Sequence, residues 1–223
     1  MSPLTSRAAL DLSLYLVLDP GLCRGAQGMV ETAVAAAEAG ATVVQLRAPQ
    51  WKKRQWVEAG QALKRELDPL GVPLIINDHV DVALIVDAAG VHVGQQDLAV
   101  RDARRLLGPH KWLGLSVSNA AQMRALTPAL CAELDYLGVG PVFATGTKLD
   151  ASPVIGLATL AELLRAKPLP VVAIGGIGAG RVASVLAAGA DGVAVVSAIC
   201  GQPEPGAATR QLRAEGWGRR DAV

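Results

Sequence analysis

A chain of 223 residues with 51% hydrophobic and 18% charged side chains can bury a large core, and its formal net charge of +1 withholds the basic face that nucleic acid demands. One Phe and two Tyr leave little for stacking single strands, no run reaches membrane-helix length, and Asp11 interrupts the apolar start a signal peptide would need. Cys23, Cys131 and Cys200, odd in number and without metal-type spacing, read as reduced thiols in a cytoplasmic protein.

Apolar runs of strand length alternate with longer helical patterns from one end to the other. Leu14–Leu18 is the first strand, followed by a helix over 28–39. Val43–Leu46 leads to a helix over 51–67, and Leu74–Ile76 to one over 79–87. Val91–Val93 precedes a helix over 98–107, and Trp112–Leu115 one over 119–130. Tyr136–Val139, Val171–Ile174 and Gly192–Val196 complete eight strands, with helices over 156–166, 179–188 and, more weakly, 206–215. Gly40, Gly71, Gly90 and Gly189 fall where left-handed helix ends are expected. Eight strand–helix units predict a single (β/α)8 TIM barrel over 1–223, with a core of about 12–200 and a short helix and frayed tail over 201–223. An open doubly wound sheet is disfavoured, because Asp19-Pro20-Gly21 after the first strand lacks the dinucleotide fingerprint.

In such a barrel the chemistry sits at the carboxyl ends of the strands. Those ends carry Arg47, Asn77, Asp78, Asp97, Ser116, Thr145, Thr147, Lys148, Gly175, Gly176 and Ser197, whereas the opposite ends carry alanines and glycines. Thr145-Gly146-Thr147-Lys148 places two hydroxyls and an ammonium in a glycine-broken loop suited to an anion. Asp78 and Asp97 are hard oxygen donors for Mg2+ shared with phosphates, or alternatively helix N-caps. Arg47 presents a bidentate fork to a diphosphate or makes a surface salt bridge, and Ser116 is a ligand or a turn residue. Ile174-Gly175-Gly176-Ile177-Gly178 and Ala194-Val195-Val196-Ser197 form a phosphate cradle with a helix start behind it; the alternative for Gly178, and less for Gly176, is tight packing. His92 reads as a packed or hydrogen-bonded strand residue, His110 as a surface turn, and His79 as a neighbour of the site.

Tyr15-Leu16-Val17-Leu18-Asp19, Gln45-Leu46-Arg47, Asn77-Asp78, Gly90 to Asp97, Gly140 to Lys148, Ala173 to Ile177 and Gly192 to Ser197, taken together and in this order, resemble the thiamine-phosphate synthase family. The resemblance runs from about Leu14 to Ile199. It implies an enzyme that joins hydroxymethylpyrimidine diphosphate to a thiazole phosphate, plain or carboxylated, and releases thiamine phosphate and pyrophosphate. By that resemblance Asp78 and Asp97 hold Mg2+, while Arg47, Asn77 and Lys148 contact the diphosphate. Ser116 helps place the pyrimidine substrate, Gln45 is a further substrate-binding residue, and Thr145, Thr147, Gly176, Val196 and Ser197 hold the thiazole phosphate. Lys148, Arg47 and Ser116 would carry catalysis. The implied partners are these small molecules, with no nucleic acid and no membrane, and homo-oligomerisation left open.

One departure stands out. The family commonly has a lysine two positions after the arginine, and Arg47-Ala48-Pro49 puts proline there, leaving Lys52 or Lys53 to reach in. Two rivals remain open: a thiazole tautomerase of the same superfamily, which uses a histidine where this chain has Ser118, and a phosphate-binding barrel without turnover.

Overall fold

The computed structural model describes residues 10–146 and 153–218. Eight parallel strands close into a barrel in sequence order: β1 (Leu14–Leu18), β2 (Val43–Leu46), β3 (Leu74–Asn77), β4 (Gly90–Val93), β5 (Trp112–Val117), β6 (Tyr136–Val139), β7 (Val171–Ile174) and β8 (Gly192–Val195). β8 pairs back onto β1, with Tyr15 opposite Ala194, so no strand edge is left open.

Alternation along each strand divides the apolar residues between two cores. Leu14, Leu16, Leu18, Val44, Leu46, Ile76, Val91 and Leu137 face outward and join the helices in one continuous cluster. Tyr15, Val17, Val43, Ile75, Tyr136, Val172 and Ala194 fill the barrel's interior. The strands are therefore buried on both faces, which is why they read as unbroken apolar runs.

The covering helices are α1 (Ala26–Glu38), α2 (Lys53–Leu67), α3 (Val80–Val86), α4 (Val100–Leu107), α5 (Ala120–Arg124), α6 (Pro128–Cys131), α7 (Gly156–Leu164), α8 (Val182–Ala187) and α9 (Pro205–Trp217). α2 shows why they form. Trp56, Ala59, Gly60, Leu63 and Leu67 recur at helical spacing and make its buried stripe. Gly60 lets α3 close in, because a Cβ there would stand 2.9 Å from a Val86 methyl. Among the described residues, no helix is long and apolar enough to cross a membrane.

Three expectations need correction. The helix expected over 119–130 is two short helices. Pro128 lacks the N–H a continuous helix requires, and Thr127 Oγ1 caps the second piece by accepting from Leu130 N at 3.2 Å. Gly90 does not end a helix; it lies inside β4, and the left-handed residue closing α3 is Asp87, with φ of 54°. Gly40, Gly71 and Gly189 do have positive φ. Finally, the amino-terminal end of the barrel carries more than alanine and glycine. Lys111–Asp87, Arg104–Asp135 and Lys167–Asp191 pair there at 2.6, 2.7 and 2.5 Å. The charges at that end neutralise one another.

The weak helical pattern over 206–215 becomes the 13-residue α9. Thr209, Leu212 and Arg213 are buried in it as it packs against α1 and α8. Residues 219–223, where a frayed tail is expected, lie outside the described residues.

Candidate active site

Because every strand runs the same way, residues at strand carboxyl ends gather at one mouth. Arg47 follows β2, Asn77 ends β3, Asp78 follows it, and Ser116 lies near the end of β5. Asp97 sits in the loop after β4, Thr145 in the loop after β6, Gly176 in the loop after β7, and Val196 and Ser197 just beyond β8. Thr147 and Lys148 lie outside the described residues. Among the described residues Arg47 has no acidic partner, so the salt-bridge reading does not hold.

Neither aspartate caps a helix. The N-cap of α3 is His79 and that of α4 is Ala99. Asp78 takes a left-handed conformation, φ 61°, which costs a non-glycine residue roughly 1 kcal/mol. Its N–H donates to His92 O at 2.8 Å, and its carboxylate accepts from Asn77 Nδ2 at 2.6 Å. The backbone twist thus fixes where the carboxylate points, an arrangement that functional sites retain despite its cost. Asp97 Oδ2 accepts from Gly94 N at 2.8 Å, and the exposed carboxylate lies within electrostatic reach of the His79 ring. β3 and β4 are neighbours in the barrel, so these two carboxylates follow adjacent strands, Asp78 directly and Asp97 in the loop beyond. Among the described residues, no group of three or more His, Cys, Asp or Glu converges on one point.

His79 packs edge-on against Trp56, with centroids 4.7 Å apart. Burial, helped by the charge of Lys53, lowers its pKa below the usual histidine value. Lys53 donates to Asp81 at 2.7 Å in an exposed pair, and Lys52 stays exposed at the start of α2.

Beneath the mouth runs a chain of polar side chains inside the barrel. Gln45 Nε2 donates to Tyr15 Oη at 2.8 Å, and Tyr15 Oη lies 2.9 Å from Tyr136 Oη. His92 Nδ1 is 3.2 Å from Tyr136 Oη, and His92 Nε2 is 2.9 Å from Ser116 Oγ. Burial raises the pKa of both tyrosines well above the ordinary phenol, keeping them protonated. Gly114 and Gly138 make the room: a Cβ on the first would overlap the Tyr136 ring, and one on the second would come within 2.9 Å of His92 Cε1. The sequence reading gives Tyr15 and Tyr136 no place in the site. Strand parity is the signal that finds them, since both fall on the inward positions shared by Gln45, His92 and Ser116.

On the far side of the mouth, Thr145, Gly146, Gly176, Ile177, Arg181 and Ser197 are among the residues lining a concavity of about 390 Å³. Gly175 and Gly176 have φ of 103° and 62°, and the preceding loop crosses them backbone to backbone, with Phe143 N donating to Gly175 O at 2.9 Å. A Cβ on Gly176 would strike the Ala144 carbonyl. Close packing therefore explains Gly176, whereas a Cβ on Gly178 would meet only Ala198 at 3.9 Å, the reverse of the expected weighting. The helix behind the cradle is only six residues long and starts at Val182, so it offers little dipole.

Comparison with known proteins agrees with the geometry. Residues 14–199 match the family model described as thiamine monophosphate synthase. The chain is 57% identical over 205 residues to a thiamine-phosphate synthase of Laribacter hongkongensis, covering 92% of this chain and 95% of that one. It is 53% identical over 204 residues to a thiamine-phosphate synthase of Xanthobacter autotrophicus, with coverage of 92% and 95%. The solved structure of thiamine phosphate pyrophosphorylase from Pyrococcus furiosus superposes with a TM-score of 0.80 at 34% identity, covering 92% of this chain and 96% of that one. A 3-hexulose-6-phosphate synthase structure, 20% identical with a TM-score of 0.67 and coverage of 92% and 99%, shares the barrel. This chain, with a closed eight-stranded barrel and an anion-suited mouth, belongs to the thiamine monophosphate synthase family.

Proposed function

We infer that the protein is a transferase that joins hydroxymethylpyrimidine diphosphate to a thiazole phosphate, giving thiamine phosphate and pyrophosphate. The observation that carries this reading within the molecule is the two-sided mouth: Arg47, Asn77, Asp78, Asp97 and Ser116 on one side, and the concavity lined by Thr145, Gly176 and Ser197 on the other. Two phosphorylated substrates need two anion sites facing one reaction centre.

In this reading the C–O bond between the pyrimidine methylene and the diphosphate breaks, and its electron pair leaves with the diphosphate. The electron-rich pyrimidine carries the resulting positive charge. The thiazole nitrogen then donates its lone pair to form the C–N bond. That nitrogen needs no general base, so His92 is free to orient Ser116. Arg47 and Lys148 stabilise negative charge on the departing oxygens. Asn77 and Ser116 hold the pyrimidine diphosphate in line.

The carboxylates fit a divalent ion. Mg2+ favours oxygen ligands and binds through one or two carboxylates plus substrate phosphates, and Asp78 and Asp97 supply two, after adjacent strands. Bound there, Mg2+ would neutralise charge on the leaving group. Asn77, bonded to the Asp78 carboxylate at 2.6 Å, would orient that ligand.

The tautomerase reading lacks a base. Ser118 is tied to Gln122, its Oγ donating to Oε1 at 3.0 Å. A cytoplasmic setting suits a reaction of soluble phosphorylated substrates and three free thiols.

The test is to mix both substrates with and without Mg2+ and follow pyrophosphate release. Release that needs both substrates and the metal is the expected result. Absence of release with all three present would reject the assignment, and a Lys148→Ala variant with unaltered turnover would reject that residue's role. Incubation with either thiazole isomer alone should give no interconversion.

A further inference from the structure

We propose that Arg181 is a phosphate-binding residue of the second anion site and sets the preference for a phosphorylated thiazole over its free alcohol. The proposal deepens the function inferred above and rests on it.

Arg181 is the one charged side chain among the described residues lining the concavity that also holds Thr145, Gly176 and Ser197. Every other polar group among the described lining residues is a hydroxyl or main chain, so Arg181 is the charge that these residues bring to a phosphate dianion. A helix dipole adds little to it, because α8 has six residues. The guanidinium is also held in place. Its Nη1 donates to Gly176 O at 2.6 Å, and its carbon lies 4.5 Å from the centroid of the Phe143 ring. One N–H of five is thereby used, and the guanidinium rests over an aromatic face. The remaining donors form a planar fork that matches two phosphate oxygens. Among the described residues, no acid pairs with it.

Position reinforces chemistry. Phe143 belongs to the β6–α7 loop that continues into Thr145, and Gly176 belongs to the β7–α8 loop. Arg181 therefore spans the two loops that flank the concavity. An anion bound there would meet a preset cation rather than recruit a mobile one, and such preorganisation lowers the cost of binding.

The experiment compares wild type with Arg181→Gln and Arg181→Lys. The glutamine variant keeps a donor for Gly176 O and removes the charge; the lysine variant keeps the charge and removes the fork. The Michaelis constants for the thiazole phosphate and the pyrimidine diphosphate are measured, together with turnover of the unphosphorylated thiazole alcohol. Inorganic phosphate is titrated in parallel, with no substrates, and followed by calorimetry. Loss of one charged hydrogen-bonding group predicts a rise of about tenfold in the Michaelis constant for the thiazole phosphate in Arg181→Gln. The constant for the diphosphate and the kcat/KM of the alcohol should stay unchanged. Arg181→Lys should recover part of the loss, and phosphate should bind wild type more tightly than Arg181→Gln.

Equal losses on both thiazoles, or an unchanged Michaelis constant for the phosphorylated one, would overturn the proposal and leave Arg181 a loop clamp. If wild type makes no product yet binds phosphate in an Arg181-dependent way, the inferred reaction fails while the anion site stands. If neither turnover nor phosphate binding depends on Arg181, the proposal is wrong.

Discussion

The His92 imidazole lies 2.9 Å from the Ser116 hydroxyl and 3.2 Å from the Tyr136 hydroxyl, so one ring connects the barrel's interior to its mouth. Gln45 Nε2 donates to Tyr15; when Tyr15 gives its single hydroxyl proton to Tyr136, Tyr136 gives its own to His92 Nδ1. In that order His92 donates from Nε2 to Ser116 and leaves the serine proton for substrate. Nitrogen-15 NMR of the histidines, assigned with a His92→Asn variant, should show an unprotonated Nδ1 at neutral pH. A protonated Nδ1 would reverse the order. Tyr136→Phe should lower kcat by about tenfold, in keeping with the loss of one positioned hydrogen bond, with the thiazole Michaelis constant held.

Removal of the metal should separate the two sides of the mouth. With the ion chelated, pyrophosphate release is expected to fall by at least about a hundredfold, while binding of the thiazole phosphate by calorimetry persists. Asp97→Asn should shift the Mg2+ concentration needed for half-maximal rate upward by about tenfold or more. A rate unaffected by chelation would remove both aspartates from their assigned role.

Lys52 and Lys53 separate cleanly. Lys53 is held by Asp81, so Lys53→Ala should leave the Michaelis constant for the diphosphate substrate unchanged. Lys52→Ala should raise it severalfold, since that lysine stands at the start of α2 beyond Arg47. Steady-state kinetics on both variants decides it, and no change in either would mean that nothing replaces the missing lysine.

Gly114→Ala should be among the more damaging single methyl additions in this chain. The new Cβ would overlap the Tyr136 ring and crowd His92, and overpacking of this kind costs about 1–3 kcal/mol. Urea unfolding should show the loss, and Gly114→Ala with Tyr136→Leu should recover part of it. Recovery by the second change is the mark of a steric cause.

Alkaline pH should weaken the fold through Tyr15 and Tyr136. Burial raises both pKa values, so above the ordinary phenol pKa of about 10 the folded state keeps protons that the unfolded chain has lost. Their contribution is fully present below that pH and declines as pH rises past it. Denaturation midpoints at pH 8, 10 and 11 should fall in the last interval, and less so for Tyr15→Phe.

The eight strands are legible in the sequence because each is buried on both faces, so apolar runs survive without any alternation to dilute them. Arg47, Asn77, Asp78 and Ser116 are legible for a related reason: a polar residue at the end of such a run, or directly after it, falls at the mouth. The interior chain is not, because Tyr15 and Tyr136 read as ordinary strand formers until register puts them on the inward face. Arg181 is hidden differently. It lies five residues beyond Gly176, at the start of a short helix, where a lone arginine reads as a solvated side chain. Its contacts with the Gly176 carbonyl and the Phe143 ring exist only once two loops cross.

The twisted main chain at Asp78 limits what can replace that residue. A left-handed position tolerates aspartate, asparagine or glycine far better than any longer or branched side chain, so lengthening the acid to glutamate would cost backbone energy before it moved a single oxygen. Drift at this site is therefore confined to a few small side chains. The reach of the carboxylate is set by the backbone as well as by the choice of acid.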